Sequence, residues 1–162
     1  MEKRQFLKTA LLTPFLFSVK ESTFAKAPAG QQEKPAALAP DLVKEFVIAG
    51  HGNFQRVKEM LAQQPGLLNS SWDWGGGDFE SAIEGAGHVG NKEIAEYLLS
   101  QGARLNIFAA AMLGKIEIVK STLTAFPNLK TSKGPHGLML MHHATKGGSA
   151  EMIDYLKGVG AS

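Results

Sequence analysis

The stretch AGHVGNKEIAEYLLSQGA, residues 86–103, decides how this chain is read. Small residues at Ala86 and Gly87 precede a turn at Gly90, and Ala95, Leu98 and Leu99 follow at helical spacing. That order predicts a short helix, a turn whose glycine takes positive φ at little steric cost, and a second helix with an apolar stripe. The order returns when the sequence is aligned on Gly52, Gly90, Gly114 and Gly148. Five residues after these glycines stand Val57, Ala95, Val119 and Ile153; eight and nine after them stand Met60-Leu61, Leu98-Leu99, Thr122-Leu123 and Leu156-Lys157. Three or four residues before them come Ile48-Ala49, Ala86-Gly87, Ala110-Ala111 and Ala144-Thr145, small enough for the two helices of a unit to approach closely. Four in-phase copies, 38, 24 and 34 residues apart, make an internal repeat.

The pattern A-A-x-x-G-x-x-x-x-V-x-x-L-L, followed by G-A, resembles the ankyrin-repeat family over roughly residues 41–162. The resemblance implies an all-α solenoid of about four stacked helix-turn-helix pairs. It also implies a docking surface for another protein on the finger loops and first helices. The departures from the family are specific. Gly102-Ala103 runs almost directly into Ile107-Phe108-Ala109-Ala110-Ala111, which leaves no room for a finger there. The longest interval places extra residues in LNSSWDWGGGD, residues 68–78. The family's T-P-L-H opening reads Ser81-Ala82-Ile83-Glu84 in the second unit and Met139-Leu140-Met141-His142 in the fourth. By resemblance, His142 takes the place of the family histidine, whose usual role is hydrogen bonding between adjacent hairpin loops. Lys157 stands where the second unit has Leu99, and a polar residue there suits the outer face of a terminal repeat.

The N-terminal end reads as an address. Met1–Lys8 is short and basic, and Ala10–Val19 is a ten-residue apolar run, half of the roughly 20 residues a spanning helix needs. This is the pattern of a cleavable export signal over residues 1–25, cut after Ala25 or, as a second exit, after Ala29. The string Lys3-Arg4-Gln5-Phe6-Leu7-Lys8 also resembles the bacterial twin-arginine signal, with Lys in place of the first Arg. The expected location is therefore periplasmic or secreted. Residues 26–40 are rich in Ala, Pro and Gln and read as a linker. Pro40-Asp41 then opens the repeat domain, residues 41–162, with Asp41 as the expected N-cap.

Charge and cysteine content exclude several functions. The chain has 162 residues, 17 Lys+Arg and 15 Asp+Glu. Lys3, Arg4, Lys8 and Lys20 against Glu2 and Glu21 lie in the leader, so the rest balances at 13 of each sign. A neutral body offers no electrostatic footprint for nucleic acid. With no cysteine there is no disulfide scaffold, thiol nucleophile or thiolate metal site. The expected mature form is a monomer without stable membrane insertion, stabilised by repeat stacking alone.

The least generic segment is Trp72-Asp73-Trp74-Gly75-Gly76-Gly77-Asp78-Phe79-Glu80. Two tryptophans beside three glycines form an aromatic ledge on a flexible finger, the residue types that anchor partners. The expected partner-binding residues are Trp72, Trp74, Asp78, Phe79, His88 and His136. Packing of one tryptophan over the helices is the competing reading of that ledge. Asp73, Asp78, Glu80 and Glu84 gather near the loop, but their spacing does not match a calcium loop. Asp78 is expected to cap a helix beginning at Phe79. The five histidines, His51, His88, His136, His142 and His143, include no H-E-x-x-H, and adjacent His142 and His143 diverge on a helix. No metal, cofactor or catalytic residue is expected on this reading. The alternative, from another class, is a small exported ligand- or metal-binding protein or hydrolase using Asp78, Glu80 and His88 around Gly75–Gly77.

Overall fold

The structure, a computed structural model, describes residues 35–161. The expected export signal, residues 1–25, and the linker up to residue 34 lie outside the described residues. Eight α-helices, three short 3-10 helices and one two-stranded sheet make up the described part, so the fold is largely all-α. The helices come as four pairs: α1 (Pro40–Gly50) with α2 (Phe54–Gln63), α3 (Ala82–Val89) with α4 (Lys92–Ser100), α5 (Ile107–Met112) with α6 (Ile116–Ala125), and α7 (Leu140–Gly147) with α8 (Ala150–Gly158). None of the described helices is long and apolar enough to cross a membrane.

Local chemistry sets each pair. Asn53, Asn91, Asn106 and Ser149 accept the backbone N–H of Arg56, Ile94, Ala109 and Met152, capping α2, α4, α5 and α8. Each such cap stabilises by about 1 kcal/mol. At α1 the expectation is corrected: Ala39 is the N-cap, Pro40 opens the helix, and Asp41 lies inside the first turn. Proline suits that first position because its missing N–H has no partner there, and the Asp41 carboxylate meets the positive end of the helix dipole. Gly90, Gly114 and Gly148 turn with φ of 85°, 68° and 69°, as the repeat reading requires. Gly52 does not take a positive φ; the first turn instead runs through His51 in right-handed helical geometry.

The first helices α1, α3, α5 and α7 pack one against the next, and each second helix folds back on its own partner. Small residues allow that approach, although the close contacts run between units rather than within one. A Cβ on Gly50 would lie 2.5 Å from the Ala82 carbonyl oxygen of α3, and one on Gly147 would lie 1.8 Å from the Met112 carbonyl oxygen of α5. Helix α5 joins the core into one run: Ala109 and Met112 pack with Phe46, Leu67, Ile94 and Leu98, while Ala110 and Ala111 pack with Val119, Leu140, Met152 and Leu156.

Two fingers project before α3 and α7. The first is a hairpin of β1 (Ser71–Asp73) and β2 (Phe79–Ser81), with Trp72 opposite Glu80. Its tip turns through Gly75, Gly76 and Gly77 at φ of 126°, 66° and 87°, and Asp73 Oδ1 accepts the N–H groups of Gly75 and Gly77. The second is closed by the Lys133–Met139 bridge and turns through Pro135–Gly137. Between α4 and α5 the chain carries no strand, and the Arg104 N–H donates to Asn69 Oδ1.

One buried side chain gives a pH expectation. His143 in α7 is fully buried; its Nδ1–H donates to the Met139 carbonyl, and Nε2 has no hydrogen-bond partner. Burial holds this imidazole below its ordinary pKa, so the native state keeps it neutral. The unfolded chain takes up that proton near pH 6.5. Stability is therefore fully present above about pH 6.5 and falls as pH drops toward the lower folded value. Urea midpoints measured at pH 7.5 and pH 5 should decline for the native sequence and decline less for His143→Leu. Equal pH slopes in the two proteins would refute the assignment.

Candidate functional site

Where the two fingers meet the ends of α1 and α3, His51, Glu80, His88 and His136 converge. One ligand-capable atom from each lies within 4.8 Å of the others. His51 follows the last turn of α1, and His88 sits in the last turn of α3. Glu80 is the middle residue of β2, and His136 is at the tip of the second finger. Glu80 is fully buried, a costly place for a carboxylate without partners. Its Oε2 accepts the Trp74 Nε1–H at 2.8 Å and lies 3.5 Å from His51 Nε2. Its Oε1 lies 2.9 Å from His88 Nδ1 and 3.5 Å from His136 Nε2. Although Oε1 and His88 Nδ1 are close, both are buried without a hydrogen bond.

The surrounding residues hold these side chains in place. The His51 Nδ1–H donates to the Val47 carbonyl at 3.0 Å, and its ring lies against Gly85, where a Cβ would come within 2.8 Å of it. Asp78 grips His136 twice: Oδ1 accepts the backbone N–H at 2.8 Å and Oδ2 accepts the Nδ1–H at 2.9 Å. His136 takes a left-handed φ of 58°, uncommon for a residue with a side chain, and this clasp holds it there. The three imidazoles stand edge to face, with centroids 4.7 Å apart for His51 and His88 and 5.1 Å for His88 and His136. Burial pushes the Glu80 carboxyl up, but the close approach of His88, the Trp74 Nε1–H and the nearby His51 imidazole outweigh it and hold the group below its ordinary value. The backbone N–H of His136 holds the Asp78 carboxyl low; partial burial opposes this, and the imidazole adds to it.

Of the expected partner-binding residues, Trp74, Asp78, His88 and His136 come together here. Trp72 does not. It pairs across the hairpin with Glu80, packs half-buried on the first core cluster and carries Lys44 over its ring at 5.4 Å. Phe79 is 59% exposed and stands on the opposite face of β2 from Glu80. Asp78 caps no helix, because β2 continues through Ser81 and α3 starts at Ala82. The Glu84 carboxylate instead reaches back to accept the Ser81 N–H and Oγ–H. His142 donates Nε2–H to the His88 carbonyl, tying α7 to α3 rather than one hairpin loop to another. His51 and Glu80 complete the cluster. His51 shares with His88 a place just before a turn glycine, which is the trace they leave in the sequence.

Above the cluster a surface pocket of about 280 Å³ opens between Ile48, His51, Trp74 and His136. Compared with known proteins, the chain matches no family model, no curated protein and no solved structure.

Proposed function

We propose that residues 40–161 form an ankyrin-type solenoid that acts outside the cytoplasm and docks another protein on the face carrying the fingers and first helices. The in-phase helix pairs, the row of first helices and the two fingers support that architecture. The pocket between Ile48 and Trp74 carries the docking reading. Both walls are exposed, 51% and 38%, around a volume of about 280 Å³. A single bulky side chain of a partner fits that space, and an exposed tryptophan beside it is a common anchor of protein interfaces. In this reading the module is a monomer, performs no reaction and leaves nucleic acid alone.

The test is recovery of partners from the exported fraction on the native chain and on an Ile48→Ser, Trp74→Ala double variant. A co-purifying protein should be lost at least tenfold with the double variant and retained with Lys157→Ala, a change on the exposed surface of α8. If no protein's recovery depends on Ile48 and Trp74, the docking reading fails. The alternative of a ligand- or metal-binding protein is favoured by a separate observation, the convergence of three imidazoles on a buried carboxylate.

A further inference from the structure

We propose that His51, Glu80, His88 and His136 bind one divalent first-row transition-metal ion. The separations are the first argument. At the 2.0–2.1 Å bonds usual for imidazole and carboxylate ligands, two neighbouring ligand atoms of a tetrahedral ion lie about 3.4 Å apart. The His51 Nε2 and His136 Nε2 atoms each lie 3.5 Å from a Glu80 oxygen. That is beyond the roughly 2.7–3.2 Å of an N–H···O hydrogen bond and close to such an edge; the two contacts reach different oxygens, Oε2 and Oε1, so the carboxylate would hold the ion through both.

The second argument is the direction of the lone pairs. A carbonyl oxygen only accepts, so the His51 Nδ1 facing Val47 carries a proton, and the neutral ring that a metal binds then has its lone pair on Nε2, on the Glu80 side. The Asp78 carboxylate fixes His136 in the same tautomer, again leaving Nε2 toward Glu80. A carboxylate or carbonyl behind the far nitrogen of an imidazole is the usual support of a metal-bound histidine. The third argument is the pair of unsatisfied atoms. Glu80 Oε1 and His88 Nδ1 are buried, close and without hydrogen bonds, and a cation between the four side chains satisfies both.

The donor set is three imidazoles and one carboxylate with no thiolate, which suits zinc, copper, nickel or cobalt(II) rather than magnesium or calcium. Glu80 in contact and Asp78 behind His136 together offset a dication's charge. Because His51 and His136 also line the 280 Å³ pocket, the ion is reachable from solvent on that side.

The experiment titrates the untagged full chain, stripped with EDTA, with zinc, copper(II), nickel(II) and cobalt(II) chlorides by calorimetry, and records thermal unfolding with and without each ion. At least one ion should bind at one equivalent per chain and raise the melting temperature. Glu80→Gln and His88→Ala should abolish that binding, and Asp78→Asn should weaken it by about 10–100-fold, as loss of a supporting hydrogen bond does elsewhere. Lys157→Ala, on the exposed surface of α8 and outside the cluster, should bind as the native chain does. His136→Ala lies on an exposed finger tip and tests the site where a buried variant fails to fold. No one-equivalent binding by any of the four ions, or binding undiminished in His136→Ala and Glu80→Gln, overturns the proposal and leaves the cluster as an ion-pair network only.

Discussion

Gly147→Ala should destabilise the fold by about 3 kcal/mol or more, while Gly158→Ala, in the next helix, should leave stability unchanged or raise it by about 0.5 kcal/mol. The two substitutions are chemically identical, and both glycines end their helices with no positive φ. Intrinsic helix preference favours alanine at both by up to about 1 kcal/mol. They differ in what the added methyl meets. At Gly147 it would lie 1.8 Å from the Met112 carbonyl oxygen, 2.6 Å from its carbonyl carbon and 2.9 Å from its Cα. At Gly158 it meets nothing within 4 Å. Backbone cannot rotate aside as a side-chain tip can, so α7 must move off α5. That movement opens the packing of Leu140 and Ala144 against Ala110 and Ala111. Against a total stability of about 5–15 kcal/mol for a domain, such a loss shows clearly in a urea midpoint. Gly50→Ala should fall between the two, because its methyl would approach the Ala82 carbonyl oxygen at 2.5 Å. Equal midpoints for Gly147→Ala and Gly158→Ala would refute the account of how successive units pack.

Those glycines show how the fold was legible. The turns at Gly90, Gly114 and Gly148 are local events, dictated by the backbone freedom of one residue, and alignment finds them directly. The small residues before them were also visible, but a one-dimensional pattern does not say which neighbour they face. The reading placed them against the second helix of the same unit, whereas Gly50 and Gly147 face the adjoining unit. Gly52 shows the opposite limit, since glycine permits a positive φ without requiring it. Asp78 was misread because an acidic residue ahead of an apolar one is a helix-start signal in general. The better signal, Ser81 followed three residues later by Glu84, stood in the same loop and is the start α3 uses.

The site was less legible because its members are far apart in the chain. Successive gaps between His51, Glu80, His88 and His136 are 29, 8 and 48 residues, which match no ligand spacing. Stacking brings them together. His51 and His88 end neighbouring first helices on the same side, and the two fingers fold over them, joined by Asp78 and His136. The sequence held one usable trace, histidines one and two residues before the aligned Gly52 and Gly90, and it carried no weight without knowing that the long 68–78 insertion folds back over those turns.

Glu80→Ala, measured in EDTA so that no ion contributes, should cost about 3 kcal/mol, and Glu80→Gln about 1 kcal/mol. Glu80 is fully buried and sits opposite Trp72 in the hairpin, so its side chain fills the space between the first finger and the ends of α1 and α3. Alanine removes the acceptor of the Trp74 Nε1–H, leaves His88 Nδ1 facing a void and withdraws the carboxylate that three imidazoles share. His88 Nδ1 is buried and Glu80 fills a buried space, which is why the expected cost exceeds that of a simple large-to-small change on the surface. Glutamine keeps the volume and an oxygen for Trp74, and its amide N–H can donate to one of the imidazole lone pairs. It gives up only the charge. The order native, Gln, Ala in urea midpoint therefore reads the carboxylate as a structural centre independently of metal binding. An Ala variant as stable as the native chain would show that the cluster contributes nothing to the fold. A Gln variant as destabilised as Ala would place the whole effect in the charge. Loss of the Trp74 contact should also move its fluorescence in Glu80→Ala but not in Glu80→Gln, a second signal on the same proteins.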